Sequence, residues 1–419
     1  MTKKIAIIGS GISGLTCGHL LNQKHDITLF EARDRLGGHT HTFKVQDKHQ
    51  HWQVDTGFIV FNDRTYPNFR RLMAQLQVPS KPTEMSFSVQ CPNSGLEYNG
   101  HNLDTLFAQR SNLIKPSFWK LIFEIVRFNK LCKGLAHKDD LDTQLTLGHF
   151  LAEHGFKQSF SEQYLLPMGA AIWSASISEM HEFPVAFFIR FFNHHGLLNI
   201  TDRPQWYVIE GGSKQYIEPL TKSFKDKIRL ATPIQSVSRN KEGVLITDDN
   251  GNQQQFDEVI FACHSDQALK LLADAEPLEQ ELLSKITYKD NDVVLHRDTS
   301  LMPTRRKAWA AWNYRLTQEQ DKAAQVSYNM NILQGFADHA PDFIVTLNQS
   351  DRIDDSKVIE RFTYAHPQFT LPAMQAQAQR DEICGQNHTH FCGAYWYNGF
   401  HEDGVRSALD VCKRFGVTL

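Results

Sequence analysis

The sequence predicts a mixed α/β protein, and three observations carry that prediction. The first thirty residues alternate between an apolar strand, a glycine turn, a helix and a second strand. Residues 103–165 carry helical periodicity. Residues 228–262 read as short strands joined by tight turns. At 419 residues the chain is long for one simple core and fits two or three domains.

Each element follows from a local pattern. Lys4–Ile8 is a short apolar run ending in glycines, which reads as a buried parallel strand. Residues 12–23 form a helix, and 26–31 (DITLFE) a second strand, giving a βαβ unit. Residues 64–77 are helical, with Phe69, Leu72, Met73 and Leu76 on one face. Residues 84–99 alternate like strands. Residues 205–209 form a strand that ends at Glu210-Gly211-Gly212. Residues 228–262 form a meander with Asn250-Gly251 as a hairpin turn. Residues 291–348 mix strands and loops, 389–396 form a further strand, and a helix runs from Gly404 to the end. A nucleotide-binding domain is expected to be discontinuous, built from 1–83, 205–280 and 385–419. Residues 84–204 and 281–384 form a second, substrate-binding domain of mixed sheet and helices.

Composition excludes several classes. Hydrophobic residues make up 41% and charged residues 22%, so the chain is folded. A net charge of -3 argues against a generic nucleic-acid binder. No apolar run reaches the length needed to span a bilayer. The N-terminus enters its first strand without a signal-peptide cleavage pattern. Seven cysteines are scattered without a CxxC pair, which indicates reduced thiols and a cytoplasmic protein. The pairs His39/His41, His49/His51 and His388/His390 lack an HExxH context or cysteine company, so no metal is expected.

Gly9-Ser10-Gly11-Ile12-Ser13-Gly14 is a GxGxxG sequence between a strand and a helix. Gly9 permits the tight turn, Gly11 leaves room for a pyrophosphate, and Gly14 lets the helix pack on the strand. The helix N-terminus supplies free N–H groups. Glu31 closes the second strand, where a carboxylate accepts ribose hydroxyls. A bound dinucleotide is the expectation.

The stretch that follows identifies the dinucleotide. Glu31-Ala32-Arg33-Asp34-Arg35-Leu36-Gly37-Gly38-His39-Thr40 resembles the flavin-containing amine oxidase superfamily pattern E-A-x-x-x-x-G-G-R-x-x-T. Val54-Asp55-Thr56-Gly57-Phe58-Ile59 is similar to its D-x-G segment beside the isoalloxazine. Pro233-Ile234 stands where an apolar residue meets the adenine, and 257–262 (DEVIFA) resembles its D-x-V-I-x-A strand. Phe391-Cys392-Gly393 with Asp403-Gly404-Val405 resembles its C-terminal element, where a helix N-terminus faces the flavin. The resemblance implies a Rossmann-like FAD-binding domain, non-covalent FAD, and hydride transfer to flavin N5. It departs at His39, where arginine is usual, and at Ala394, where an acid is usual. Within the superfamily the likeness is greatest to bacterial FAD-binding proteins associated with cyclopropane-fatty-acid synthase. That likeness implies an oxidoreductase of a membrane-lipid or fatty acyl chain, acting by dehydrogenation or isomerisation.

Catalytic residues are less legible. His401, Tyr397 and Trp312 are candidates, with Trp309, Tyr314, Trp396 and Phe400 as lining aromatics. Lys289 and His296 read as ordinary strand or surface residues, and Asp55 as a turn residue that bonds backbone. The basic, aromatic stretch 111–138 suits a membrane interface, at the inner face of the membrane. With the apolar run Val185–Phe192 it forms a candidate entrance for a lipid chain. The alternatives are a flavin-dependent oxidase of a small amine or polyamine, and a non-catalytic flavin-binding partner of a lipid-modifying enzyme.

Overall fold

The computed structural model describes residues 2–47, 50–138, 141–317, 319 and 321–419. Four of the five residues in Lys4–Ile8 are buried, as expected of a strand covered on both faces. It is the central strand of a five-stranded parallel sheet. The order is Ile228–Arg229, Asp26–Phe30, Lys4–Ile8, Glu258–Phe261 and Thr389–Phe391. Ile5 pairs with Glu258, and Val259 with Thr389, so three distant parts of the chain share one sheet.

A seven-stranded sheet forms the other large layer. Its order is Val358–Pro367, Tyr288–His296, Ile344–Leu347, Val326–Asn329, Trp312–Arg315, Phe87–Cys91 and Leu96–Asn99. All its pairings are antiparallel except Trp312–Arg315 with Phe87–Cys91. Helices from 103 to 194 pack beside it, and two large hydrophobic clusters follow the two sheets.

The meander expected over 228–262 is smaller than its pattern suggests. Only Ile234–Asn240, Gly243–Asp248 and Gln253–Phe256 form it, with Gly251 in the turn. Ile228–Arg229 and Glu258–Phe261 instead join the parallel sheet. Short apolar runs do not show which sheet they enter. The strand expected over 389–396 ends at Phe391, and a 3-10 turn follows at Ala394–Trp396. The C-terminal helix runs His401–Arg414, three residues earlier than expected. The helix expected from 64 begins at Pro67, a residue suited to a first helical turn.

Val185–His194 is a helix whose Val185, Ala186, Phe188, Ile189, Phe191 and Phe192 are buried. Phe188 stacks on Phe192 at 3.9 Å and packs at 5.8 Å against Trp173. This segment is therefore core, which corrects its reading as one wall of an open entrance.

Candidate functional site

The glycine turn at the end of the first strand has one open position. Gly9 has φ +106°, and a Cβ there would sit 2.8 Å from the Ala262 carbonyl oxygen. A Cβ on Gly14 would run into the Gly9 carbonyl, so the helix Ile12–Leu21 lies directly on the turn. A Cβ on Gly11 meets nothing within 4 Å. Gly11 is also the N-cap of that helix, and no side chain caps it. The first-turn amides thus keep their positive partial charge for a ligand. Glu31 closes the turn from the side: it accepts the Ser10 amide at 3.0 Å, the Ser10 hydroxyl, and the Arg33 amide at 2.9 Å.

A second helix N-terminus meets the first. A Cβ on Gly404 would lie 2.6 Å from the Ile12 side chain, and Ser13 Oγ donates to the Gly404 carbonyl at 2.9 Å. The helix His401–Arg414 is capped by its own Asp403, which accepts the Phe400 amide at 2.9 Å. Burial pushes the Asp403 carboxyl up to about 7, against the pull of the Phe400 and Asn398 amides. Glu402 reaches outward: it accepts the amides of Asn68 (3.2 Å) and Phe69 (2.9 Å) and the Asn68 side chain (2.6 Å). It thereby caps the helix Pro67–Gln75 and anchors it to the site.

Residues on both sides of these termini contribute a group of aromatic and imidazole rings, of which Tyr364 is buried and His39, His264, His366 and His401 are half-buried. The His39 ring is 5.3 Å from Tyr364, 5.5 Å from His366 and 5.9 Å from His264. Burial, then the neighbouring His264, lowers His39 to about 4, so the ring is neutral. His366 Nδ1 lies 2.9 Å from Ser174 Oγ, and burial lowers it to about 3. His401 stacks on Phe58 at 3.6 Å, with Nε2 2.9 Å from Thr40 Oγ1 and 3.2 Å from Tyr216 OH. Burial, then His39, holds His401 well below the usual imidazole range. A positioned, neutral ring of this kind orients its neighbours and does not carry charge.

The residues present fit the dinucleotide expected from the sequence. The space at Gly11, the uncapped amides at Ile12, Ser13 and Gly14, and the buried, unpartnered His39 Nε2 all await polar partners.

The neutral histidines set a pH dependence. His39, His41, His195, His264 and His296 are lowered to about 4, and His366 to about 3, each chiefly by burial. Between pH 7 and 5 the unfolded chain binds protons at these sites and the folded chain does not, so stability falls with pH. Asp55 and Asp403, raised to about 7 by burial, act in the opposite sense but are fewer. The denaturant midpoint of the apoprotein is expected to drop from pH 7 to pH 5. A flat or rising midpoint contradicts this assignment.

Other residues find structural places. Asp55 accepts the Ser213 amide and hydroxyl and the Thr42 hydroxyl, so it ties the hairpin Thr42–Asp55 to Ser213. The Tyr397 hydroxyl donates to Asp410 at 2.6 Å, under the Arg406 guanidinium. Trp312 packs edge-on against Tyr328 at 4.9 Å, and Trp309 donates to the Pro303 carbonyl at 2.7 Å. No ring contact or hydrogen bond among the described residues joins Trp312 to the His39–His401 group. Lys289 pairs with Glu179 at 2.9 Å, and His296 meets Thr346 Oγ1 at 2.7 Å inside the sheet. Cys392 is buried with its Sγ 3.9 Å from Cys17 Sγ. Gly57 lies against the His39 carbonyl, and Ile59 and Ile234 are half-buried. Among the described residues no group of three metal-ligating side chains occurs, and His49 lies outside them.

Sequence reasoning missed Tyr364, His366 and a cavity of about 430 Å³. Trp173, Ala175, Phe183 and Phe369 form its apolar wall, and Ser178, Glu179, Glu182, Thr287, Gln368 and Thr370 its polar rim. The Phe369 ring packs on Gly399, two residues before His401. Trp173 precedes Ser174, the partner of His366. The signal available was the period-two pattern of 362–366, which sets Tyr364 and His366 on one face.

Comparison with known proteins agrees with this geometry. The family model described as flavin containing amine oxidoreductase matches residues 12–298. AofH of Mycobacterium tuberculosis, named as a flavin-containing monoamine oxidase, is 23% identical over 268 residues. That match covers 60% of this chain and 55% of the relative, so the chain spans about half the length of such relatives. A fatty acid isomerase from P. acnes that produces CLA shares the fold at 18% identity and TM-score 0.72, covering 99% of this chain and 98% of its own. Cyclohexylamine oxidase from Brevibacterium oxydans does so at 14% identity and TM-score 0.70, covering 99% and 100%.

Proposed function

We infer that this chain, which belongs to the flavin containing amine oxidoreductase family, is an FAD-dependent oxidoreductase whose substrate is a fatty acyl chain. FAD supplies a two-electron acceptor that takes a hydride at N5. The chain's own residues hold, orient and shield. Gly9, Gly11, Ser13 and Gly14 with the Ile12–Leu21 helix would cradle the pyrophosphate, and Glu31, Ala32 and Arg33 the adenosine ribose, with Ile234 at the adenine. Gly37, Gly38, His39 and Thr40 would follow the ribityl chain. Gly57, Phe58, Ile59, Gly393, Asp403, Gly404 and Val405 would border the ring system. The N-terminus of the His401–Arg414 helix would stabilise negative charge there. His401 would act as a positioning ring rather than a proton acceptor, because both of its neighbours at Nε2 are hydroxyls that fix it.

The observation that carries the acyl-chain reading is the cavity beside Phe369 and Trp173. Its wall of Trp173, Ala175, Phe183 and Phe369 suits methylenes, and burying each is worth about 0.8 kcal/mol. The fold shared with a fatty acid isomerase agrees. Glu179 and Glu182 favour a second reading, oxidation of a small amine, but Glu179 is already engaged by Lys289 and by the Ser176 amide.

Anaerobic mixing of the holoprotein with phospholipid and with an amine panel separates the two. The visible flavin absorbance is expected to bleach with lipid, or the acyl double bonds to shift position without bleaching. Bleaching by an amine alone overturns the acyl reading.

A further inference from the structure

Among the described residues, eight large hydrophobic side chains are conspicuously exposed, and six of them lie between 103 and 126. They are Leu103, Leu113, Ile114, Trp119, Phe123 and Val126, with Ile114 85% and Phe123 68% exposed. The stretch comprises the short helix Leu103–Leu106, the 3-10 turn Arg110–Ile114 and the start of the helix Pro116–Lys138. Along that helix Trp119, Phe123 and Val126 recur every three or four residues, so they share one face. The opposite face, with Phe118, Leu121, Phe128 and Cys132, is buried in the core. The outward face is therefore not an exposed part of the core stripe. It is a second apolar stripe with no partner.

Trp119 makes the stripe continuous. Its Nε1 donates to the Leu113 carbonyl at 2.9 Å, and its ring lies 5.4 Å from Phe107. The 3-10 turn that carries Leu113 and Ile114 is thus fixed to the helix at Trp119, one turn before Phe123.

Charge defines the occupant. At 100° per residue Lys120 and Arg127 fall on one side of the Trp119–Phe123–Val126 line, Lys115 and Lys133 on the other, and Lys130 one turn further on. Over 111–138 six basic residues face a single acid, Glu124, which is paired with Arg127 at 2.8 Å. Apolar side chains bordered by long cationic ones match a bilayer with anionic headgroups: the rings enter the acyl boundary and the lysines reach phosphates. No described helix is long and apolar enough to cross a membrane, so such contact is at the surface.

We propose that this face, centred on Phe123 and Ile114, docks the protein on an anionic phospholipid bilayer. The inference rests on the face alone and stands whatever the flavin oxidises.

The test is flotation of the FAD-loaded protein with vesicles of phosphatidylcholine, alone or mixed in equal parts with phosphatidylglycerol. Binding is expected to the mixed vesicles, and to weaken with salt. Phe123→Ser with Ile114→Ser is expected to cut partitioning roughly ten-fold or more, since two apolar anchors are removed. Lys120→Gln and Lys130→Gln are each expected to cost about five-fold on anionic vesicles. All these positions are exposed, so flavin content and melting temperature serve as controls for folding and are expected to stay at parent values. No binding to either vesicle, or binding indifferent to these substitutions, overturns the proposal. So does a vesicle-free dimer that Phe123→Ser dissociates, because the stripe is then a contact between copies.

Discussion

Gly11→Val is expected to fold and to lose FAD. In the apoprotein the added side chain enters open space, because even its Cβ has no neighbour within 4 Å. Gly11 has φ -64° and ψ 176°, which an L-residue adopts without strain. The remaining cost is that of valine at an N-cap, about 1 kcal/mol. That corresponds to roughly 2 °C of melting temperature at this chain length. The same space is where the pyrophosphate would approach the helix amides, so the substitution is expected to remove FAD almost completely. Gly14→Val is the contrast. Its Cβ would collide with the Gly9 backbone carbonyl and approach Ala262 Cβ to 3.1 Å. Backbone has to move, so the apoprotein itself should be destabilised by about 1–3 kcal/mol or more. Melting of stripped protein, read beside flavin absorbance per mole of purified protein, separates the two effects. Retention of FAD by Gly11→Val at the parent stoichiometry would refute the assignment of this turn.

Arg239→Met is expected to cost about 3–5 kcal/mol, because it strands a buried carboxylate. The Arg239 side chain is 4% exposed and that of its partner Glu279 is 3% exposed. The guanidinium donates to both Glu279 oxygens, at 2.5 and 2.8 Å, to Asp274 at 3.0 Å, and to Thr389 Oγ1 at 3.2 Å. It joins the strand Ile234–Asn240, the helix Pro277–Ser284 and the strand Thr389–Phe391. Burial alone would lower the arginine, but Glu279 and Asp274 together raise it and hold it charged. The double variant Arg239→Met/Glu279→Met is expected to recover much of the loss, since it removes both charges. Denaturant unfolding of the four proteins of this cycle measures the coupling. A single-variant loss under about 1 kcal/mol would show that water reaches Glu279.

How much of this was legible in the sequence depends on how local each cause is. The turn at Gly9–Gly14 was legible because the glycines, the apolar strand before them and the helix after them are contiguous. The helix Pro116–Lys138 was legible from its period, including the basic residues that flank its outer face. The start of the C-terminal helix was not, because Phe400 is not a capping residue type. The cap is Asp403, whose carboxylate turns back to the Phe400 amide. The ring group around His39 was only half legible. His39 itself stood out against the family pattern, whereas His366 and Tyr364 arrive on a strand more than three hundred residues later. Their neighbourhood depends on pairing with Tyr288–His296, a register that no local pattern announces. Trp312 was misleading for a related reason. An aromatic-rich strand looks the same whether its rings meet a ligand or Tyr328.

The first strand pairs with residues 26–30 on one side and 258–261 on the other, and the closing edge comes from 389–391. On the ribosome this order has a consequence. At about 5–20 residues per second, the first strand waits roughly 10–50 s for its inner neighbour to be made. During that interval Ile5, Ile7 and the Gly9 turn exist beside only one strand, with an apolar edge open to other chains. Gly404, which closes over Ile12 and Ser13, is synthesised later still. The nascent chain therefore offers half of the proposed cradle for most of its synthesis, and the contact of Gly404 with Ile12 and Ser13 forms only once the last helix folds back onto the first. Truncations that remove the final helix should accordingly yield protein that aggregates through its N-terminal sheet edge rather than a smaller flavoprotein.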